Sequence, residues 1–327
     1  MSALNNIVAL GAGRMGRGIA HMFAYAGRPV SLLDIKERSA EDFAWLKEDA
    51  YSEIRGNLEF LSTLEILTQQ QVNSAMDLIT VHSADDAQTV LAAADVVIEG
   101  VPETSTAKSH ALKVLSEYSR ADTLIASTTS TMPVVELQKE ISHPQRFLNT
   151  HFLNPAYLIP LVEISPGPDT DESVVGSVMT LFKSVGKEPV RCAAKPGYIV
   201  PRLQTILMAE ASRMLEEGVV TAEDLDRAIK YGFGPRFAAM GVVEFMDWGG
   251  LDTVFNASHQ LAEALDSPAH APATEVGKMV EQGKKGLRAG QGYYDFRNID
   301  AVAWQQERLS RFVKLLTELD QIPVAGV

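Results

Sequence analysis

The segment at residues 7–34 constrains the fold of this chain more than any other part of the sequence. An apolar run, IVAL, leads directly into GAGRMG, which is the G-x-G-x-x-G pattern that closes a β-strand and opens an α-helix. The glycines allow a tight turn and let a pyrophosphate approach the helix N-terminus, where free N–H groups attract anions. A turn kept only for packing is the alternative, but the strand, the helix and a later acidic residue favour a dinucleotide site. The predicted cofactor-binding residues of this loop are Gly11, Gly13, Arg14, Met15 and Gly16.

An acidic residue closes the second predicted strand. Residues 29–33 read PVSLL, and Asp34 follows them directly. A carboxylate at this place accepts hydrogen bonds from the ribose hydroxyls of adenosine and repels a 2′-phosphate. Asp34 is therefore a further cofactor-binding residue and favours NAD over NADP, although Lys36 and Arg38 lie close enough in sequence to oppose that preference.

The composition limits both the class of protein and its partners. A chain of 327 residues with 46% hydrophobic and 22% charged residues is typical of a globular protein large enough for two domains. We expect no targeting segment or membrane span, and the single cysteine, Cys192, excludes an intrachain disulfide and makes the cytoplasm the natural compartment. The net charge of −13 argues against nucleic acid or an anionic membrane as partner. No histidine spacing suggests a metal site, so we expect no metal.

The pattern of apolar residues predicts two domains. Apolar positions at three- and four-residue spacing, with a Thr68–Gln71 capping box, predict a helical hairpin over residues 39–80. From about residue 197 onward only helical patterns occur, one of them behind a Thr221 cap. Further strands are predicted at residues 96–98, 124–126, 147–152, 161–164 and 189–192.

These elements define the expected fold class, which is α/β. Helical stretches between strands indicate a Rossmann-type, doubly wound sheet in residues 1–195, interrupted by the inserted helical hairpin. An all-α C-terminal domain is expected to follow over residues 196–327. The boundary is expected near Lys195, Pro196 and Gly197.

The stretch THFLNP, followed by LVEI, carries the residues suited to alcohol oxidation. A base must take the hydroxyl proton, and histidine suits this task because its pKa lies near neutrality. Two adjoining strands could bring His151 and Glu163 together, so that the carboxylate fixes the imidazole tautomer and stabilises the imidazolium. A histidine at a strand end is on its own more often a structural residue. Inside a dinucleotide fold, with Asn154 and an acid close behind, we favour the catalytic interpretation.

The sequence resembles the L-3-hydroxyacyl-CoA dehydrogenase superfamily, which also contains carnitine dehydrogenase and the L-gulonate dehydrogenase/lambda-crystallin branch. The resemblance covers nearly the whole chain. Its motifs are the glycine loop, VVIEGVPE, ASTTST, HFLNP, LVEI, PGYIVPRL, GVVEFMDWGGLD and GLRAGQGYYDF.

The resemblance assigns roles to particular residues. It implies that His151 is the general base, that Glu163 orients it, and that Ser130 and Asn154 lie near the reacting oxygen. It further implies that Glu103 and Lys108 lie beside the nicotinamide half of NAD, and Ser130 is a further predicted cofactor-binding residue. The residues alone would make Glu103 an ordinary acid at a helix start and Lys108 a solvated lysine. The resemblance also implies that the helical domain contributes to substrate binding and forms a homodimer.

Several departures from the superfamily concern the substrate. Members that act on CoA thioesters usually have asparagine where this chain has Thr128, and again where it has Pro201, whose side chain offers no hydrogen bond. The hairpin contains eight acidic residues against two basic ones, Lys47 and Arg55, which suits the phosphates of CoA poorly. Arg236 lies in a segment that resembles the carboxylate-acting branches, and a guanidinium binds a carboxylate well. A surface or interdomain ion pair is the alternative for Arg236.

The expected function is NAD-dependent oxidation of an L-3-hydroxyacyl substrate to the 3-oxo product. The substrate is either a free 3-hydroxy carboxylate or a CoA thioester. The departures from the CoA-acting members favour the carboxylate, whereas the large size of the CoA-acting branch favours the thioester. A catalytically silent NAD-binding protein with a structural or sensor role is the alternative from another class. The intact His151/Glu163 pair argues against it.

Overall fold

The computed structural model describes residues 4–322. Residue contacts divide the chain between Leu207 and Met208 into two compact units, which are described separately. The division falls inside a helix, α8 (Val200–Glu216), and therefore lies beyond the domain boundary that the sequence predicts near residue 196. No helix in the described range is both long and apolar enough to cross a membrane.

An eight-stranded sheet forms the centre of the first unit. The strands are β1 (Ile7–Leu10), β2 (Val30–Leu33), β3 (Ile79–His82), β4 (Val96–Glu99), β5 (Leu124–Ser127), β6 (Phe147–Phe152), β7 (Leu161–Pro166) and β8 (Glu188–Arg191). The strand order is β3-β2-β1-β4-β5-β6-β7-β8, and all neighbours are parallel except the antiparallel pair β6 and β7. The chain therefore winds from β1 in both directions, which confirms the doubly wound Rossmann-type prediction.

Apolar layers cover both faces of the sheet. Along β1, Ile7 and Ala9 belong to one hydrophobic cluster, and Val8 and Leu10 belong to the other. Because successive side chains point to opposite faces, a strand buried on both sides must be apolar throughout, as β1 is. Helices of the first unit are α1 (Arg14–Tyr25), α2 (Ala40–Thr63), α3 (Gln69–Met76), α4 (Ala87–Ala93), α5 (Ser105–Tyr118), α6 (Val134–Leu137) and α7 (Glu172–Ser184).

The inserted hairpin consists of α2 and α3, and Thr68 with Gln71 forms the expected capping box at the start of α3. The predicted extent of the hairpin, residues 39–80, was too long, because α3 ends at Met76 and residues 79–80 already belong to β3. β3 is a short edge strand in which Ile79 and Val81 are buried while Thr80 is exposed. This alternation spans too few residues to stand out beside the long helical pattern before it.

The second unit is helical, in agreement with the predicted all-α region. Among its described residues there are only two isolated β-bridges and no strand. Leu251, Val276 and Met279 form its most buried apolar cluster. The helices are α9 (Ala222–Ala228), α10 (Gly234–Ala239), α11 (Val242–Gly249), α12 (Leu251–Ala264), α13 (Thr274–Glu281) and α14 (Ala301–Glu318). Thr221 caps α9 as expected, and a π-helical turn at Ile229–Phe233 connects α9 to α10.

Candidate active site

The glycine loop lies between β1 and α1, as the sequence predicts. Gly11 has φ +99°, a conformation that side chains rarely adopt, and a Cβ on Gly16 would lie 1.8 Å from the carbonyl oxygen of Gly11. A Cβ on Gly13 would meet no protein atom within 4 Å. Gly13 is also the N-cap of α1 and offers no side chain to its first-turn N–H groups. The loop therefore fits a pyrophosphate, because those N–H groups remain open to an anion approaching past Gly13.

Asp34 lies immediately beyond β2 and is almost fully buried. Its Oδ2 is 2.5 Å from Nε of Arg38, and its Oδ1 accepts a long hydrogen bond of 3.4 Å from the backbone N–H of Lys36. The nearest guanidinium is thus bound to the carboxylate rather than free to receive a 2′-phosphate. This arrangement agrees with the preference for NAD.

A buried ion pair lies at the carboxyl end of β4, next to β1 at the point where the winding reverses. Nζ of Lys108 is 2.8 Å from both carboxylate oxygens of Glu99 and 3.4 Å from Oγ of Ser127. Lys108 is 2% exposed and Glu99 is fully buried. Glu99 and Ser127 thus engage the ammonium of Lys108 within the protein. Direct contact of Lys108 with the cofactor stays a prediction. Sequence reasoning did not select Glu99.

Glu103 connects this region to the loop after β5. Its carboxylate accepts hydrogen bonds from the Thr129 hydroxyl and from the backbone N–H groups of Ser130, at 2.9 Å, and Thr131, at 3.2 Å. Partial burial acts to raise the pKa of Glu103, but these hydrogen bonds, together with the positive charge of Lys108, hold the pKa below its ordinary value. The structure therefore brings Glu103 and Ser130 together, and their contact with the cofactor stays a prediction.

His151 and Glu163 face each other across the antiparallel pair of β6 and β7. Nδ1 of His151 is 2.7 Å from Oε2 of Glu163, and both side chains are buried. Oε1 of Glu163 accepts hydrogen bonds of 2.7 and 2.8 Å from the N–H groups of Ile199 and Val200 at the start of α8. Burial acts to raise the pKa of Glu163, but the hydrogen bonds from His151 and from these two N–H groups hold it below its usual value. Glu163 is therefore an anion suited to hold a proton on Nδ1.

Tyr198 supports the imidazole from a second side. Its ring is stacked on that of His151, with centroids 4.9 Å apart and planes 17° from parallel. Its hydroxyl donates to the carbonyl oxygen of Thr129 at 2.6 Å and accepts from Nδ2 of Asn149 at 3.1 Å. Sequence reasoning missed Tyr198 and Asn149. Tyr198 lies in the PGYIVPRL motif, which marked the region without indicating a role for the tyrosine.

The remaining predicted residues have different surroundings. Asn154 is exposed beyond β6 and lines a cavity with Arg14. Arg236 lies in the second unit, exposed on α10, with its guanidinium 4.6 Å from the centroid of the Phe245 ring. Thr128 is buried, and its N–H donates to the carbonyl oxygen of Glu99. Pro201 lies in the first turn of α8, where a missing N–H breaks no intrahelical hydrogen bond.

The fold, the glycine loop and the buried His151–Glu163 pair define the class of an NAD-dependent dehydrogenase. Comparison with known proteins is consistent with that class. Residues 6–195 match the family model described as the 3-hydroxyacyl-CoA dehydrogenase NAD binding domain, and residues 197–296 match its C-terminal domain. The chain belongs to the 3-hydroxyacyl-CoA dehydrogenase family, and is an NAD-dependent oxidoreductase of that family.

Three relatives show the breadth of the similarity. The chain is 30% identical to the mitochondrial hydroxyacyl-coenzyme A dehydrogenase of Homo sapiens, covering 90% of this chain and 92% of the relative. It is 30% identical to 5-formyl-3-hydroxy-2-methylpyridine 4-carboxylate 5-dehydrogenase of Mesorhizobium japonicum, covering 95% and 96%. The crystal structure of a 3-hydroxyacyl-CoA dehydrogenase from Archaeoglobus fulgidus matches with a TM-score of 0.75 at 28% identity, covering 97% and 99%.

Proposed function

We propose that this dehydrogenase oxidises a free 3-hydroxy carboxylate to the 3-oxo acid, with His151 as general base and Glu163 as the residue that orients it. The observation that carries the proposal is the 2.7 Å contact between Nδ1 of His151 and Glu163, inside a buried strand pair. This contact engages Nδ1 of the His151 ring with the Glu163 carboxylate. The other ring nitrogen, Nε2, has no hydrogen-bond partner among the described residues and is free to act on a substrate.

The proton steps follow from this tautomer. An anionic Glu163 keeps the hydrogen on Nδ1, so Nε2 carries the lone pair that accepts the proton of the substrate hydroxyl. NAD, when bound, supplies the acceptor for the hydride that leaves the carbinol carbon. As the C=O bond forms, His151 becomes an imidazolium whose charge Glu163 stabilises, and the proton then passes to solvent. Ser130 and Asn154 are proposed to hydrogen-bond the reacting oxygen.

Two features support a free acid over a CoA thioester. The hairpin is acidic and suits the phosphates of CoA poorly, and Pro201 offers no side-chain hydrogen bond at a position where CoA-acting members usually have asparagine. In addition, one relative of equal identity is named for a substrate that is itself a carboxylate. The mitochondrial relative and the A. fulgidus enzyme, by contrast, are named for CoA substrates, so the choice must be made by experiment.

The cofactor contacts are proposed on the same basis. The glycine loop and α1 would hold the pyrophosphate, Asp34 the adenosine ribose, and Glu103 with Ser130 the nicotinamide half. We also propose a homodimer formed through the helical region. The cytoplasm is proposed as its compartment, because the chain has a single cysteine and no disulfide to protect.

The test is a paired substrate assay that follows NADH formation. L-3-Hydroxybutyrate and L-3-hydroxybutyryl-CoA are compared at equal enzyme concentration, and kcat/KM is determined for each. A kcat/KM for the free acid equal to or above that of the thioester supports the proposal. Turnover of the thioester alone would show that the enzyme acts on CoA thioesters and would overturn the proposal. No turnover with either substrate would favour the catalytically silent NAD-binding alternative.

A further inference from the structure

A cavity of about 230 Å³ lies in the first unit beside the beginning of α1. The cavity is bounded by α1, by α2 of the hairpin and by the segment that follows β6. Its volume is below the ~300–1,000 Å³ of sites that enclose drug-sized ligands, so it suits a small organic molecule. Its polar lining consists of Arg14, Arg17, Glu53, Asn57, Asn154 and Tyr157.

One of the two guanidinium groups in this lining is already neutralised. Arg17 is almost buried, and its guanidinium is 2.5 Å from Glu53, 2.8 Å from Asp49 and 3.0 Å from the carbonyl oxygen of Ala12. Every part of that guanidinium fork is therefore occupied by the protein. Arg17 with Asp49 and Glu53 therefore carries a net charge of −1 and offers no free donor to an anionic ligand.

Arg14 differs from Arg17 in its exposure and in having no partner. Its side chain is exposed and makes no hydrogen bond or ion pair with any described residue. A guanidinium cannot be deprotonated in a protein and presents parallel N–H donors that match a carboxylate. Arg14 is thus the unpaired cation of the cavity lining.

Asn154 connects the cavity to the proposed base. It lines the cavity and is three residues from His151, so the backbone between them spans at most about 10–11 Å. The side-chain amides of Asn154 and Asn57 offer further donors in the same lining. A substrate that reaches from this lining past Asn154 to His151 would have its anionic end at Arg14.

We infer that Arg14 is the specificity-determining residue that binds the carboxylate of the substrate in this cavity. The inference rests on the proposed function, because it supplies the contact that a free acid needs and a thioester lacks. It assigns to Arg14 a role that the sequence gives only to Arg236. The glycine loop also predicts Arg14 as a cofactor ligand, so the experiment must separate the two roles.

The test compares Arg14→Leu with the wild-type enzyme on L-3-hydroxybutyrate and on its uncharged methyl ester. A charge-assisted contact contributes about 1.5–3 kcal/mol, so kcat/KM for the acid should fall about ten- to a hundredfold. The ratio of kcat/KM for the acid to kcat/KM for the ester should fall by the same factor, because the ester has no carboxylate for Arg14 to bind. The dissociation constant of NADH, measured by fluorescence titration, reports separately on any contribution of Arg14 to cofactor binding. Arg14→Lys should restore part of the activity towards the acid, because it keeps the charge without the fork.

Arg55→Leu is the matched control, since Arg55 is an exposed arginine of the hairpin that does not line the cavity. It should leave all three constants unchanged. An equal loss for acid and ester, accompanied by weaker NADH binding, would make Arg14 a cofactor ligand and overturn the inference, as would unchanged use of the acid. A failure of the proposed function would be seen separately and earlier, in the wild-type enzyme. That enzyme would then oxidise the CoA thioester and not the free acid.

Discussion

Two buried carboxylates in the first unit have similar surroundings and different chemistry. Glu99 and Glu163 are both fully buried, and each faces one basic side chain. Each also accepts from backbone N–H groups, Glu99 from Val101 and Glu163 from two residues at the start of α8. The two sites differ in the partner, which is Lys108 for Glu99 and His151 for Glu163.

The partner decides whether the pair can do chemistry. The ammonium of Lys108 has only donors, and the carboxylate oxygens of Glu99 and the Ser127 hydroxyl engage them, so this pair is closed. An imidazole has two nitrogens with opposite roles, and only one faces Glu163. The comparison shows that the Glu99–Lys108 pair has its donors engaged within the protein, whereas the Glu163–His151 pair leaves Nε2 of the imidazole as a free acceptor for a substrate proton.

We call the His151–Glu163 pair the open pair, because Nε2 of His151 stays free, and breaking it should have the largest effect on activity. His151→Ala removes the base, and we expect kcat to fall by about 10²–10⁴-fold, the usual contribution of a positioned acid–base group. NADH binding should change little, because the cofactor contacts lie in other loops. His110→Ala, which removes an exposed histidine of the same unit, should retain full activity. Near wild-type kcat in His151→Ala would disprove the assignment.

Breaking the closed pair should act on stability instead. Lys108→Met leaves Glu99 buried without a counter-charge, and the free energy of unfolding should fall by about 3–5 kcal/mol. The double variant with Glu99→Gln should recover much of that loss, because no uncompensated charge remains. Denaturant unfolding measures both, with the exposed Lys113→Met as control. A loss below about 1 kcal/mol for the single variant would show that the pair is not closed as described.

Glu163→Gln tests whether the open pair depends on a carboxylate. We expect kcat to fall by about 10²-fold or more, because the imidazolium loses its counter-charge. The pKa of Glu163 is held below its ordinary value of 4.5, so its stabilising effect is present above that value and is lost as the pH falls through the lower pKa of the folded state.

The pH dependence gives this variant a second measurement. Unfolding free energies between about pH 3 and 7 should therefore decline less steeply on the acid side for Glu163→Gln than for the wild type. Glu59→Gln removes an exposed carboxylate that has no hydrogen-bond or ion-pair partner among the described residues, and it should leave the profile nearly unchanged. Parallel wild-type and Glu163→Gln profiles would contradict an ionised Glu163.

The fold was predictable where local sequence alone determines the structure. The glycine loop, the apolar strand β1 and the Thr68 cap each combine a backbone requirement with a short pattern, and the structure has all three. β3 was missed because four residues at a sheet edge carry too little alternation to compete with an adjacent helical pattern.

The site was predictable to the extent that its residues follow strand ends. The pairing of His151 with Glu163 follows from two adjoining strands whose register the structure supplies. Glu99 and Tyr198 could not be selected in this way, because their roles depend on partners 9 to 69 residues away in the chain. No local pattern distinguishes a glutamate or tyrosine that has such partners from one that does not.

The smallest expected effect separates the two ways in which Tyr198 supports the open pair. Tyr198→Phe keeps the ring stacked on His151 but removes the hydroxyl between Asn149 and Thr129. A lost neutral hydrogen bond contributes about 0.5–1.5 kcal/mol, so kcat should fall only about two- to tenfold. Tyr198→Leu also removes the stacked ring, so its kcat should fall further than that of Tyr198→Phe while the KM of the substrate changes little. If the two variants lose the same kcat, Tyr198 supports the loop and does not position the base.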